Sequence, residues 1–442
     1  MGSQLILTQD NSEHRLGKDE LCHLDTLKKM AEPTISNLSL EEHPNLLIFP
    51  QDLNVYGDKI GNAHIFEIKD DNIITGNIMG FIGCNNTKVS VSSRFAQDNG
   101  DYFLHYMLRK VFAINLFDLQ FNSDEESIFD FLIYLFPAFL KRAMRQGMYR
   151  EYQTRKYNDA NVKGRIDVPR HIRENIPFAG NIAYTTREYA QDNHLAQLIR
   201  HTIEYISRHR YSGNILHNDD ETSDAVKAIC QATESYNRNE RHKVINQNLR
   251  PICHPYYGEY RPLQQLCLQI LRQEEMKYGR NDDEIYGVLF DGAWLWEEYL
   301  NTFLEKLDFT HPHNKTDRKG KKMFSKPEKV LMQPDFFIEN KIVMDAKYKR
   351  HESLFEDMQR EDRFQLLAYM HVFNAKRGGL LVPTVPNEEK VLHGTVAGLG
   401  GDMYLLGMNV GESADTFTKY ITHMDKEERT VIEHIEKIIA NA

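Results

Sequence analysis

The stretch Gln333–Arg350, QPDFFIENKIVMDAKYKR, constrains this chain more than any other part of it. Phe336–Ile338 and Lys341–Tyr348 are short β-branched and aromatic runs on either side of Glu339-Asn340, the pattern of two strands joined by a tight turn. Side chains alternate across a strand. Ile342, Met344, Ala346 and Tyr348 therefore fall on one face, and Val343, Asp345, Lys347 and Lys349 on the other. Asp345 and Lys347 project side by side, and Asp335 stands at the start of the neighbouring strand. Upstream, DGAWLWEEYLNTFLEKL reads as a helix; downstream come a second helix, EDRFQLLAYMHVF, and a strand, LLVPT. Helix, two strands, helix and strand in that order predict an α/β domain with a mixed sheet over about 286–442.

Two carboxylates and a lysine on one sheet face suit metal-assisted hydrolysis of a phosphodiester. Carboxylate oxygens are the hard ligands that Mg2+ takes, with its other positions left for water and phosphate. A metal held there lowers the pKa of water and neutralises phosphate charge. The lysine orients the attacking water and offsets developing negative charge. These ligands do not separate Mg2+ from Mn2+. An Asp-x-Lys triplet arises by chance about once or twice in a chain this long, and Asp317-Arg318-Lys319 is another with no strand around it. On the triplet alone, a charge pair on a solvated strand face is the stronger reading. The surroundings change that balance. Pro334-Asp335, nine residues and Asp345-Ala346-Lys347 form one hairpin, and Gln365 and Tyr369 lie at i, i+4 on the following helix. By themselves those two are equally well a helix-surface hydrogen bond. In WLWEEYL either Glu297 or Glu298 is placed to serve the same site, and the sequence does not choose between them.

The rest of the chain is organised around this segment. Residues 1–120 are β-rich, with LLIFPQDLNVY, HIFEI, NIITG, NIMGFIGC and TKVSVSSRF separated by Gly, Asn and Asp. Residues 121–285 are mainly helical, with GRIDV and IAYTTREYA as strands between the helices. The fold class is thus α+β and multidomain, with domains expected at 1–120, 121–285 and 286–442. With 442 residues and 41% hydrophobic content, the chain builds cores without disulfide staples. Its five cysteines form no CxxC, which fits a reducing cytosol. The N-terminus is too polar for a signal peptide, and Ile6 stands where myristoylation wants Ser or Thr. The longest apolar stretch, Phe129–Leu140, is too short to span a bilayer and contains Asp130 and Pro137, so no membrane association is expected.

Net charge is −10, which excludes a protein coated uniformly in nucleic acid but not a local basic contact. Two such patches are visible. Lys141–Arg165 contains Arg142, Arg145 and Arg165 with Tyr149, Tyr152 and Tyr157 interleaved; Lys315–Lys329 contains Lys315, Arg318, Lys319, Lys321 and Lys322 just before the hairpin. Both suit phosphate neutralisation. A solvated charged face explains the first patch equally well. His311-Pro312-His313 matches no metal-ligand spacing and reads as a surface loop. Trp294 and Trp296 read as packing residues. No G-x-x-x-x-G-K-[ST] occurs, and GTVAGLGGD at 394–402 is a turn beside a strand rather than a phosphate loop.

The hairpin is the PD-(D/E)xK nuclease signature, and the Gln-x-x-x-Tyr helix resembles that of RecB-like nucleases. Beyond it, NIMGFIGCNNTKVSVSSRF, the segment Val162–Asp167, LWEEYL, PDFFI, DAKYK and QLLAY follow the order of the McrC family, including its LlaJI-type relatives. The resemblance spans roughly residues 45 to 385. It implies the nuclease subunit of an McrBC-type restriction system, with Asp335, Asp345 and Glu297 as metal ligands and Lys347 as catalytic lysine. Gln365 and Tyr369 would support the site. It also implies Mg2+-dependent cleavage of double-stranded DNA, methylated or not, in a prokaryotic cytoplasm. The implied partner is an McrB-like AAA+ GTPase hexamer docked on the β-rich N-terminal domain, with GTP entering only through that partner. The competing readings are a non-catalytic regulator of such a ring and a stand-alone repair nuclease.

Overall fold

The computed structural model describes residues 4–35, 46–50, 63–96, 101–112, 125–208, 215–217, 219–277, 285–312, 320–326, 330–349, 359–386, 391–398, 400–411 and 413–440, with backbone only for 125–131 and 273–277. By packing, the chain forms two units: Met1–Ile128 together with Asn281–Ala442, and Phe129–Arg280.

The first unit joins the two ends of the chain through a five-stranded sheet. Its strands are β1 (Gln4–Gln9), β2 (Leu46–Phe49), β3 (Ile78–Cys84), β4 (Thr87–Ser92) and β5 (Ile285–Asp291), in the order β1-β4-β3-β5-β2. β5 runs antiparallel to β3 and parallel to β2. Two glycines permit the β3–β5 pairing. Gly80 has φ +123° and Gly287 φ +150°; a Cβ on Gly80 would sit 2.2 Å from the Val288 carbonyl oxygen, and one on Gly287 2.1 Å from that of Phe81. The core of this sheet mixes Ile6, Ile82 and Val89 with Ile285 and Leu289. A threefold division at 120 and 285 therefore does not describe the packing. No strand is predicted from the sequence at Ile285–Asp291, and a short apolar run cannot show that its partners lie at the other end of the chain.

The second sheet of this unit contains β6 (Phe336–Ile338), β7 (Ile342–Ala346), β8 (Arg377–Thr384), β9 (Val391–Thr395) and β10 (Asp402–Asn409), in the order β6-β7-β8-β10-β9. It is mixed: β7, β8 and β10 run parallel, with β6 and β9 antiparallel at the edges. Between β9 and β10, Gly398, Gly400 and Gly401 have positive φ. Four helices of the unit matter here: α1 (Tyr102–Phe112), α2 (Gly292–Leu304), α3 (Arg360–Val372) and α4 (Phe417–Ala440). Asp291 caps α2, accepting from the amides of Ala293 at 3.0 Å and Trp294 at 3.4 Å. Trp296 is fully buried and donates to the Leu381 carbonyl at 3.3 Å. Glu428 of α4 accepts from Tyr106 of α1 at 2.7 Å and Tyr299 of α2 at 2.9 Å, which ties the three helices together.

The second unit is built from helices Glu125–Arg145, His194–Ile206, Asp220–Ala232 and Tyr260–Lys277 with a three-stranded antiparallel sheet. Two of its strands, Arg165–Ile166 and Ile182–Ala190, fall within the predicted segments; the third, Glu151–Asp159, is a polar run without apolar alternation. Among the described residues no helix is long and apolar enough to cross a membrane.

Candidate active site

Val343, Asp345 and Lys347 point to the α3 side of the second sheet. Val343 packs beneath Leu366 and Tyr369, and the next two positions on that face emerge at the carboxyl end of β7. Two parallel strands end there, the usual place for a site in such sheets. Asp335, at the start of β6, is fixed by the Ala346 amide, which donates to its Oδ2 at 2.7 Å. Asp345 is buried, and Lys347 Nζ lies 2.7 Å from its Oδ2.

α3 lies close on the sheet because β8 carries Gly378, where a Cβ would meet Met370 Sδ at 2.7 Å and Leu366 Cγ at 2.9 Å. Its inward stripe is Asp362, Leu366, Tyr369 and Met370. That places Gln365 over the lysine. Lys347 Nζ donates to Gln365 Oε1 at 3.0 Å, Gln365 Nε2 to the Tyr369 hydroxyl at 2.8 Å, and that hydroxyl to the Gln333 carbonyl at 3.1 Å. Asp362 is buried between two cations, 3.6 Å from Lys347 Nζ and 3.0 Å from Lys349 Nζ. Sequence reasoning did not single it out, although it sits one turn before Gln365.

The electrostatics follow from crowding. Burial pushes the Asp335 pKa well above the usual carboxylate range, and Asp345 and Glu297 push it further; the Ala346 amide and Lys347 oppose them. Asp345 is also raised by burial, against the pull of Lys347. Burial works against the Lys347 ammonium, but Asp345, Asp362 and Asp335 outweigh it and hold its pKa above the ordinary lysine value.

Of the two α2 acids, Glu297 lines the cleft and Glu298 does not. Both stand 3.7 Å from His311 Nε2, and His311 Nδ1 donates to the Asp335 carbonyl at 2.8 Å. The His-Pro-His expectation is corrected here. The His311 side chain is 3% exposed and stacks on Phe336 with ring centres 4.9 Å apart, while His313 lies outside the described residues. No metal spacing or periodic pattern marks it, because its partners come from α2 and the turn before β6. Burial opposes its charged form, but Glu298 and Glu297 outweigh burial and raise its pKa.

The cleft, about 830 Å³, has a second wall from the N-terminal sheet, including Asp10, Asn77 and Arg94. Arg94 is buried in an ion pair with Asp10 at 2.6 Å. The triplet Ser93-Arg94-Phe95 grips Tyr348, the residue after the lysine. Ser93 Oγ is 2.9 Å from the Tyr348 hydroxyl, the Arg94 guanidinium stacks 4.8 Å from its ring centre, and Phe95 meets the ring edge-on at 5.6 Å. The SRF ending was visible in the sequence, but its contact with the residue after Lys347 was not.

The basic candidates divide. Lys321 pairs with Glu339 and lies over the Phe373 ring; Lys322 is in the same short strand; Lys315, Arg318 and Lys319 lie outside the described residues. Arg142, Arg145 and Arg165 belong to the second unit. There Arg145 is 3.0 Å from Glu221 and Lys141 3.0 Å from Asp219, so that end of the predicted patch is partly neutralised.

No group of three or more His, Cys, Asp or Glu side chains among the described residues is drawn together as a metal cage. Mg2+ does not need one, since it is commonly held by one or two carboxylates with waters and phosphate completing its shell. Asp335 and Asp345 meet that requirement. Oδ2 of the buried Asp345 accepts no well-formed hydrogen bond and meets the Lys347 charge instead. Glu297 shares the cleft but is turned toward His311. The donor set therefore fits Mg2+ on the two aspartates.

A family model described as McrBC 5-methylcytosine restriction system component matches residues 73–383, more than two thirds of the chain. The chain belongs to the McrBC family. Among solved structures, its fold is similar to a chain in the half-complex of a tetradecameric assembly of Thermococcus gammatolerans McrB AAA+ hexamers with bound McrC. That match has 16% identity, a TM-score of 0.54, and coverage of 98% of this chain and 100% of the other. The cryo-EM structure of the Thermococcus gammatolerans McrBC complex aligns at 15% identity over 69% of this chain and 88% of the other, with a TM-score of 0.33, too low to bear on the fold. No curated protein matches the chain.

Proposed function

We propose that the chain is the nuclease subunit of an McrBC-type restriction complex and hydrolyses DNA phosphodiester bonds with Mg2+. One observation carries this reading: Asp335, Asp345 and Lys347 converge at the end of β7, with Lys347 held by Gln365. Membership of the McrBC family supports it. Asp335 and Asp345 would hold the metal, which supplies charge neutralisation and a more acidic water. Lys347 donates to a phosphate oxygen and offsets the charge that develops as water adds to phosphorus and the ester oxygen departs with a proton. Gln365 and Tyr369 hold the ammonium in line, and Asp362 shares its charge. Glu297 and His311 keep Asp335 oriented through its carbonyl. Mn2+ is expected to substitute, since its ligand preference overlaps that of Mg2+.

The partner in this proposal is an AAA+ ring that hydrolyses GTP; the Thermococcus gammatolerans assembly holds McrB AAA+ hexamers with bound McrC. GTP would act through that ring, double-stranded DNA would be the substrate, and a prokaryotic cytoplasm the setting. The decisive experiment incubates methylated and unmethylated plasmid with Mg2+ and GTP, with and without the AAA+ protein, using Lys347→Ala as control. Cutting that needs the partner, GTP and Lys347 supports the proposal. Partner GTPase stimulation without cutting in any mixture overturns the nuclease assignment and leaves a ring regulator; cutting by the isolated chain would make it self-sufficient.

A further inference from the structure

The three-stranded sheet of the second unit sorts its charges by face. Glu151–Asp159 and Ile182–Ala190 pair antiparallel, with Tyr152 opposite Tyr189, Thr154 opposite Arg187 and Lys156 opposite Thr185; Arg165 of the third strand is also opposite Thr185. Residues opposite one another point to the same side of a sheet. One face therefore carries Tyr152, Thr154, Lys156, Arg165, Arg187 and Tyr189, and no acid from these strands. Glu151, Asp159 and Glu188 all fall on the other face, where Arg155 lies 3.7 Å from Glu188 and His194 2.9 Å from Glu151.

The cationic part of this face is open, while its other end, at Ala183 and Asn158, meets His171 and Asn175. Lys156, Arg165 and Arg187 are exposed, and among the described residues none of them forms an ion pair. Tyr152 is 63% and Tyr189 48% exposed, with ring centres 5.0 Å apart, and Arg187 lies 4.7 Å over the Tyr152 ring. Lys156 and Arg165 flank Thr185 across two strand spacings, roughly 10 Å apart, and Arg187 is about 7 Å further along. On a chain of net charge −10, unpaired cations gathered on one face with exposed rings are not needed for solubility. Cations that track a phosphate backbone beside rings that accept unpaired bases are how single-stranded nucleic acid is held.

We propose that this face binds single-stranded DNA, with its phosphates on Lys156, Arg165 and Arg187 and its bases against Tyr152 and Tyr189. The proposal goes beyond the nuclease assignment and does not depend on it, because binding is read without metal and without cleavage. The test uses the full chain in EDTA and a fluorescein-labelled oligothymidylate, with anisotropy measured between 50 and 200 mM salt, about the range over which phosphate contacts weaken. The variant Lys156→Glu/Arg165→Glu/Arg187→Glu should bind at least about tenfold more weakly, with the log–log salt slope reduced by about 2, as expected for three single-strand phosphate contacts. Tyr152→Ala/Tyr189→Ala should weaken binding at unchanged salt slope. Arg155→Glu, on the opposite face, should bind as the parent does, and circular dichroism checks that each variant is folded. Absence of binding by the parent chain, a triple variant within twofold of it, or tighter binding of duplex of the same length would each overturn the proposal. So would a triple variant that binds DNA normally but no longer binds the AAA+ protein, which would assign the face to a protein partner.

Discussion

Asp335 is a carboxyl group at odds with its surroundings, and that conflict can be measured. Its pKa is raised by burial, Asp345 and Glu297, so the folded chain keeps a proton that the unfolded chain has already released above the ordinary carboxylate range. The metal-free protein should be most stable below that range and lose stability as pH rises through the raised value. Asp335→Asn removes the repelled charge and can still accept from the Ala346 amide. Without metal at neutral pH it should melt a few degrees higher than the parent, with a flatter pH dependence, and it should not cleave DNA. Calorimetry from pH 5 to 8 in EDTA reads the first effect; an unchanged or lower melting temperature would mean that the carboxylates do not repel as described. A second prediction concerns Gln365. Gln365→Ala frees Lys347 from its amide acceptor at 3.0 Å but leaves its ion pair with Asp345. Misplacement of a catalytic group by about 1 Å costs on the order of 100-fold. Single-turnover cleavage should therefore slow by about 10- to 100-fold with little change in DNA affinity, and a rate within twofold would remove Gln365 from the site.

At the scale of elements, α3 shows what a sequence can and cannot reveal. Its periodicity exposed the helix, and the i, i+4 spacing placed Gln365 beneath Tyr369; the hydrogen bond between them at 2.8 Å follows from that spacing. The role of Gly378 was hidden because it depends on how closely the helix approaches β8. Gly378→Val forces a branched side chain against Met370 and Leu366. Overpacking of this kind costs about 1–3 kcal/mol. Its effect on cleavage should exceed that on stability, since Gln365 and Tyr369 move with the helix; urea unfolding and cleavage rates on one preparation separate the two. His311 and Asp10 were unreadable for a related reason. Each is a single polar residue whose partners are distant in sequence, so no local pattern marks it. The Asp10–Arg94 pair is testable as a cycle. Arg94→Met leaves a buried carboxylate uncompensated, at a cost of about 3–5 kcal/mol. Adding Asp10→Asn should recover most of that loss, and failure to recover would mean that Arg94 matters through its stacking on Tyr348.

For the whole molecule, the order of elements was readable and their partnership was not. Helix, hairpin, helix and strand after residue 286 stand in the predicted order because each carries its own periodic signal. Their independence does not follow from that order. β5 reads as the opening of a C-terminal domain, yet it pairs with β3 and β2, and Gly80 and Gly287 make room for the pairing. Tyr348 is held by Ser93, Arg94 and Phe95, and Glu428 by Tyr106 and Tyr299. The stretch after 280 therefore loses the N-terminal partners of β5, Tyr348 and Glu428 when that part of the chain is removed. Residues 125–280, by contrast, are continuous and carry an apolar core of their own, including Leu198, Ile199, Ile229 and Leu266. Two fragments test this. Residues 125–280 should express as a soluble monomer with a cooperative thermal transition by circular dichroism. Residues 281–442 should aggregate or melt without cooperativity, because β5 would expose apolar edges and faces to water. Co-expression of 281–442 with 1–128 should restore cooperative unfolding. A C-terminal fragment that folds alone would show that the second sheet belongs to a domain in its own right, and that the N-terminal strands are only attached to it.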